Sequence, residues 1–476
     1  MPTSRPASEG GTGSSAAESA KAEARRRQFR RGLALLAMTV FLPGSAQRLA
    51  GNRRVGRLAG WLFGSAAVVL VLAGLGALLR PTSVITLSTN LWLLTVVRYL
   101  LIAYAIGWAC LLIDAWRLSD PRRLEQHRRL AIAGCNGVLC LSLTGALLFG
   151  SHLVAVQREF IAAVFDGQEV SEAHDGRYNI LLLGGDAGEG RDGIRPDSIT
   201  VASIDADTGR TVLLGLPRNL AKVPFPDGSV MQEQFPAGFD CAGCYLNAVN
   251  TWANDNADLF PHVTSPGIMA TTQAVEEITG LPISYYALID LKGFQLLVDA
   301  VGGVTINIQE RIPIGKVGEI TDWIEAGKRH LNGYETLWYA RSRATSDDYS
   351  RMARQKCVMN AMLQQLDPAT VLMNFSAIAE AGEQIISTSI PASEVDTFVG
   401  LAAKARSLPV SSVSFIPPRI DTSNPDWALV RAMVDSAIAR TEAADSGQKP
   451  DSGTATKRRG NQQRDANVSA DLRSAC

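Results

Sequence analysis

Three stretches of this chain are apolar for too long to fit an ordinary soluble helix. Leu58 to Leu79 and Leu130 to Gly150 hold no charged residue, and Leu91 to Ile113 holds only Arg98. A bilayer core needs about 20 apolar residues per helix, and each stretch has them. Inside lipid every backbone amide must be satisfied within its own segment, so each stretch is predicted to be a transmembrane helix. The other reading, three buried core helices, requires helices with no polar face along their length. Arg98 is expected to snorkel to the outer interface or to pair with a lipid phosphate.

The flanking charges orient the spans. Arg25, Arg26, Arg27, Arg30, Arg31, Arg48, Arg53, Arg54 and Arg57 precede the first, and Arg117, Arg122, Arg123, Arg128 and Arg129 lie between the second and third. Only Arg80 lies between the first and second. Basic loops stay in the cytoplasm, so the N-terminus is predicted inside and everything after about Val156 outside. That face has no ATP pool, and a transferase there needs a substrate that arrives activated. Leu33 to Leu42 is too short to span and stops at Pro43-Gly44, which predicts an interfacial helix beside the arginines. The expected organisation is a basic cytoplasmic region over 1–57, three spans over 58–155, a stalk over 156–176, a domain over 177–440 and a disordered tail over 441–476.

Lys+Arg and Asp+Glu both number 46. A formal net charge of zero excludes a bulk polycation, and no nucleic-acid partner is expected. The seven cysteines are too sparse for a disulfide scaffold. Past the spans the periodicity changes. Tyr178 to Gly184, Ser198 to Asp205 and Arg210 to Leu216 read as strands, the last two as a hairpin around Asp207-Thr208-Gly209. Helical spacing marks Pro266 to Thr279, Phe294 to Val301, Tyr334 to Arg343, Tyr349 to Leu366 and Trp427 to Ala439. Strands are predicted at Ser284 to Leu291, Val304 to Gln309 and Val413 to Ile416. Alternation of this kind predicts an α/β domain with helices on both faces of a sheet.

Asp186 closes the first strand and Asp197 opens the second. Two carboxylates at strand ends suit Mg²⁺, which takes few protein oxygens and fills its shell with water and phosphate. They would equally serve as a turn cap and a strand-start cap. Arg218, after Pro217 at the end of the third strand, is placed to fork onto a phosphate. Residues 339–355 read YARSRATSDDYSRMARQ. Arg351, Arg354 and Gln355 recur at i, i+3 and i+4 on one helix face, with Asp348 at its start to cap it. Arg341 and Arg343 add to the charge. Guanidinium groups in such excess imply a ligand of high negative charge density, best a pyrophosphate. Cys241-Ala-Gly-Cys244 has no second ligand pair for zinc and is expected to be a structural disulfide. A bridge from either cysteine to Cys357 stays open.

The stretches YNILLLGGD, RPDSITVASID, GLPRNL, LPISYYALIDLKGFQLLVDAVGGVTI, LNGYETLWYARSR and DYSRMARQ follow one another in the order seen in the LytR-CpsA-Psr family of cell-envelope ligases. From about Arg177 to Ala439 the chain resembles that family, and the three spans resemble its membrane-anchored members. The resemblance implies an α/β/α sandwich that holds a polyprenyl pyrophosphate lipid. It implies transfer of a glycopolymer phosphate from that lipid to peptidoglycan. Asp186 and Asp197 would be Mg²⁺ ligands. Arg218, Arg341, Arg343 and Arg351 would clamp the pyrophosphate and act in catalysis, Asp348 and Gln355 would complete the site, and Arg195 and Arg354 would join the binding set. Asp348 or a metal-bound carboxylate would accept the proton. Asn219 stands where the family usually has Asp, and Tyr245 where many members have a basic residue. Two further readings use the same lipid: a hydrolase that uses water as acceptor, and a non-catalytic module that only binds it.

Overall fold

The computed structural model describes residues 12–79, 90–165, 167, 169–186, 195–316, 318–365, 386–445, 468–469, 471–472 and 476. The chain divides into two compact units, Met1–Arg158 and Glu159–Cys476.

The first unit is helical. Helices Arg53–Leu79, Leu91–Leu118 and Gln126–Val164 contain the three apolar stretches and are long and apolar enough to cross a membrane. Trp61, Leu70, Leu72 and Leu141 are exposed on them. Apolar surface on this scale calls for lipid to cover it. Arg80 lies outside the described residues. The stretch from Leu33 to Leu42, expected at the interface, is the end of a longer helix, Thr12–Phe41. Its Leu35 and Leu36 are buried with Leu112, Ala115 and Ile132 of the spanning helices, so protein rather than headgroups covers that face. The arginines at 25–31 lie on the preceding turns of the same helix.

The second unit is built on a mixed seven-stranded sheet. Its strands are β1 (Arg177–Asp186), β2 (Arg195–Asp205), β3 (Thr211–Leu216), β4 (Tyr285–Asp290), β9 (Ile386–Thr388), β10 (Ser411–Ser414) and β11 (Val468–Ser469). The order across the sheet is β11-β10-β3-β2-β1-β4-β9. The hairpin expected between the second and third strands is present: Asp205 Oδ1 accepts from the amides of Asp207 and Thr208, and Gly209 takes the φ of +76° that closes the turn. Because β1 and β2, and β2 and β3, are antiparallel, the end of β1, the start of β2 and the end of β3 share one edge of the sheet.

Side chains alternate between the two faces, as a pleated strand requires. Leu181, Leu183, Val201 and Leu214 pack on one face against helices Leu246–Asp255, Pro266–Thr279 and Trp427–Asp445. Ala202 and Leu213 face the other side, against Met359 and Leu363 of helix Asp348–Gln365. Helices therefore cover both faces, the α/β/α arrangement the sequence implied. Two small ribbons flank this layer: β5 (Val304–Ile308) pairs with β8 (Gly327–Leu331), and β6 (Ile312–Lys316) with β7 (Glu319–Ile324).

Of the tail expected to be disordered, residues 446–467, 470 and 473–475 lie outside the described residues. The last helix runs on to Asp445, and Val468–Ser469 pairs with β10. Leu472 is buried beside Val410, and Cys476 is bonded to Cys357 of helix Asp348–Gln365. Apolar burial and a covalent bond hold the end of a segment whose composition is polar.

Leu216 ends β3 just before Arg218 and is 1% exposed. We expect Leu216→Ala to cost about 2–5 kcal/mol, the usual range for a truncated core leucine, read as a lower denaturant midpoint at unchanged slope.

Candidate functional site

The shared edge gathers the charged side chains. A β-bulge between Gly184 and Gly185 pairs Gly184 with Ser198 and Gly185 with Pro196, which leaves Asp197 as the extra residue of β2. Arg218, two residues past β3, donates from Nη1 to Asp197 Oδ1 at 2.5 Å. Asp348 opens its helix and is reached by three arginines. Arg351 Nη2 lies 3.1 Å from Oδ2, while Arg218 Nε and Arg343 Nη1 lie 3.5 and 3.7 Å from Oδ1. Arg351 Nη2 also donates to the Asp197 carbonyl at 2.9 Å. Arg341 rests over the Trp338 ring at 5.0 Å.

Three guanidinium groups thus share two carboxylates, and the surplus positive charge is half-buried. The Arg351 side chain is 3% exposed. Burial pushes its guanidinium below the usual value, while Asp348 and then Asp197 pull it back up. An arginine stays protonated in such a setting. Its Nε is a buried donor with no partner among the described residues, and Asp348 Oδ1 has ion-pair neighbours but no aligned hydrogen bond. The Arg351 Nε–H is a donor that a ligand oxygen could satisfy, whereas Asp348 Oδ1 can only accept.

A cavity of about 640 Å³ adjoins this cluster. Asp197, Arg341, Arg343, Arg351 and Gln355 line it, together with Leu182, Ile289, Phe294, Leu297, Val358, Met359 and Met362. Helix Asp348–Gln365 orders the two kinds of wall. Residues 351, 355, 358, 359 and 362 fall on one face, polar toward the N-terminus and apolar beyond. At 1.5 Å per residue that face extends about 16 Å. Phe294 and Leu297 come from helix Leu291–Ala300. Helix Pro266–Thr279 spends Ala270, Ala274 and Ile278 on the core instead.

Several expected residues sit elsewhere. Arg354 turns away from the cavity: Nε donates to the Tyr339 carbonyl at 2.8 Å, Nη1 to Ser346 Oγ at 3.2 Å and Nη2 to the Ser342 carbonyl. It fastens the end of helix Gly333–Arg341 to its neighbour, because that turn offers free carbonyls at arginine reach. Arg195 donates to Asn247 Oδ1 at 3.4 Å and does not line the cavity. The helix cap is Asp347, which accepts from the Ser350 amide at 2.7 Å, so Asp348 is left to the arginines. The Ser350 side chain and amide hold the Asp347 carboxyl below its usual range. Cys241 and Cys244 are bonded to each other, and the partner of Cys357 is Cys476. The buried Lys356, next after Gln355, carried no sequence signal beyond its place in the helix.

Asp186 pairs with Arg195 by backbone register one step past the bulge, so it and Asp197, the two residues expected to hold Mg²⁺, belong to the same strand edge. Asp197 Oδ1 accepts from Arg218. Among the described residues no group of three or more His, Cys, Asp or Glu side chains could hold a metal by itself.

The model of the LytR_cpsA_psr family matches residues 153–425. The chain belongs to the LytR-CpsA-Psr family. Among curated LytR-CpsA-Psr relatives, a Bacillus subtilis polyisoprenyl-teichoic acid–peptidoglycan teichoic acid transferase, TagV, is 25% identical over 48% of this chain and 53% of its own length. A probable cell wall biosynthesis protein of Corynebacterium glutamicum, LcpB, is 32% identical over 41% of this chain and 39% of its own. The chain thus spans about half or less of the length of these two relatives. The crystal structure of B. subtilis TagV aligns over 58% of this chain and 100% of its own, at 21% identity and a TM-score of 0.41.

The division between Arg354 and Arg343 is directly testable. Arg354→Ala strands buried carbonyls and should cost about 1–3 kcal/mol of stability while leaving the affinity for a prenyl pyrophosphate unchanged. Arg343→Ala, at a side chain 45% exposed, should do the reverse. Melting curves and calorimetric titration with farnesyl pyrophosphate on both variants separate the two roles.

Proposed function

We propose that this protein is a phosphotransferase of the outer membrane face. It would move a glycopolymer, as its phosphate, from a polyprenyl-pyrophosphate donor to a sugar hydroxyl of peptidoglycan. The observation that carries this reading is the polarity of the cavity: guanidinium groups at the helix start and apolar side chains beyond, on one helix face about 16 Å long in all. That is the shape of an amphiphile with a doubly phosphorylated head. The transferase names carried by the Bacillus subtilis relatives TagV and TagU support the same class of reaction.

In this reading the prenyl chain lies against Phe294, Leu297, Met359 and Met362, and the pyrophosphate meets Arg218, Arg341, Arg343 and Arg351. The acceptor oxygen attacks the glycan-bearing phosphorus. The bond from that phosphorus to the bridging oxygen breaks, and polyprenyl monophosphate leaves with the electron pair. Charge grows on the bridging and equatorial oxygens, and fixed guanidinium groups stabilise it without reorganising. Asp197, with Asp186, would hold Mg²⁺, whose contribution is further neutralisation at the phosphate oxygens. Asp348 is a positioning residue, since three arginines occupy it. The hydroxyl proton then passes to a strand-end carboxylate.

Two experiments test this reading. Arg341→Ala and Arg351→Ala should each lower the rate of polyprenyl monophosphate release by about 10²–10³, the usual loss for one fixed donor to a developing oxyanion. Wild-type rates in folded variants would show that the cluster takes no part in the reaction. A reporter fused after Val170 should be active only outside the cell and one fused near Arg123 only inside, as the arginine asymmetry requires. The opposite pattern would remove the outer-face mechanism.

A further inference from the structure

Lys356 is the most buried cation of the arginine helix after Arg351, with 6% of its surface exposed. Its stem passes Gly215 of β3. A Cβ built on that glycine would lie 3.2 Å from Lys356 Cε, so a larger residue there would crowd the stem. The ammonium donates to Ser412 Oγ at 3.4 Å and to Ser414 Oγ, both on β10. Both partners are neutral hydroxyls. A buried ammonium without a carboxylate is costly, and two serines offset only part of that cost.

A second, very small cavity lies beside the lysine. It measures about 10 Å³, and its wall includes Lys356, Thr200, Gly215 and Met352. Asp197, Ser198 and Gln355 line this cavity and the large one alike. Besides Lys356, Asp197 is the one charged group on the small cavity's wall among the described residues. Burial lowers the lysine from its usual 10.5 to about 8, so at neutral pH the ammonium keeps its proton.

We infer that Lys356 is a positioning residue for the anionic ligand: a fixed positive charge, set behind Asp197 and Gln355, that strengthens pyrophosphate binding without touching it. The inference rests on the pyrophosphate reading above. In a poorly solvated interior one charge acts on another across a shared wall far more strongly than through water. The protein carries the destabilising charge because the ligand uses it.

The test is calorimetric titration of farnesyl pyrophosphate, with Mg²⁺ present, into the detergent-solubilised full chain and its Lys356→Met and Lys356→Gln variants, with melting curves beside it. Methionine can pass Gly215 along a similar path without charge, and glutamine keeps a donor for the serines. Both variants should bind about tenfold more weakly than wild type at pH 7. Lys356→Met should melt at the same temperature or higher, since it removes a buried charge. Wild-type affinity in either variant, or a loss of affinity only in step with a lower melting temperature, makes Lys356 a packing residue and overturns the inference alone. A wild-type chain that does not bind farnesyl pyrophosphate overturns the pyrophosphate reading and this inference with it.

Discussion

The site depends on one ionic arrangement, a single carboxylate shared by three guanidinium groups. Asp348 draws Arg218 from a strand end, Arg343 from a loop and Arg351 from its own helix to within 3.1–3.7 Å. Like charges at that spacing repel unless something binds them, and one aspartate with the help of Asp197 binds them incompletely. The remaining positive charge is held in place by the fold before any ligand arrives. Such preorganisation is where transition-state stabilisation of phosphate chemistry comes from.

The fold supplies the anchor points for that arrangement. Antiparallel turns return β1, β2 and β3 to one edge, and the bulge at Gly184 and Gly185 leaves Asp197 outside the regular ladder. Asp347 takes over the capping of the arginine helix, which releases Asp348 for the guanidinium groups. Arg354 ties the preceding helix down, so the loop carrying Arg343 starts from a fixed point. The same helix then runs from charge to Val358, Met359 and Met362, which joins the arginine cluster to the apolar part of the cavity.

Much of this was legible because it is local. The spans follow from length and lack of charge. The helix Pro266–Thr279 follows from its apolar spacing and from Gly280, whose φ of +72° ends it. Arg351 and Gln355 share a face by period alone. What the sequence hid depends on distant partners. Arg354 has the right spacing to join the cluster, yet carbonyls of another helix claim it. Cys357 meets a cysteine 119 residues away, which no spacing rule could select. The helix Leu246–Asp255 is not among the expected helices: asparagine is a weak helix former, yet here Asn247 and Asn250 are buried. The ribbon of β6 and β7 was missed because β7 is exposed along most of its length and carries no apolar alternation.

The central claim is group transfer rather than binding or hydrolysis, and one assay addresses it directly. The full chain, solubilised in detergent with Mg²⁺, is incubated with a polyprenyl-pyrophosphate-linked glycan and peptidoglycan. The peptidoglycan is then digested and its fragments weighed by mass spectrometry, with the lipid products measured alongside. The account predicts a glycan joined through one phosphate to a peptidoglycan sugar, formed in step with an equal amount of polyprenyl monophosphate. Free glycan phosphate without that adduct, or an unchanged donor, would contradict it.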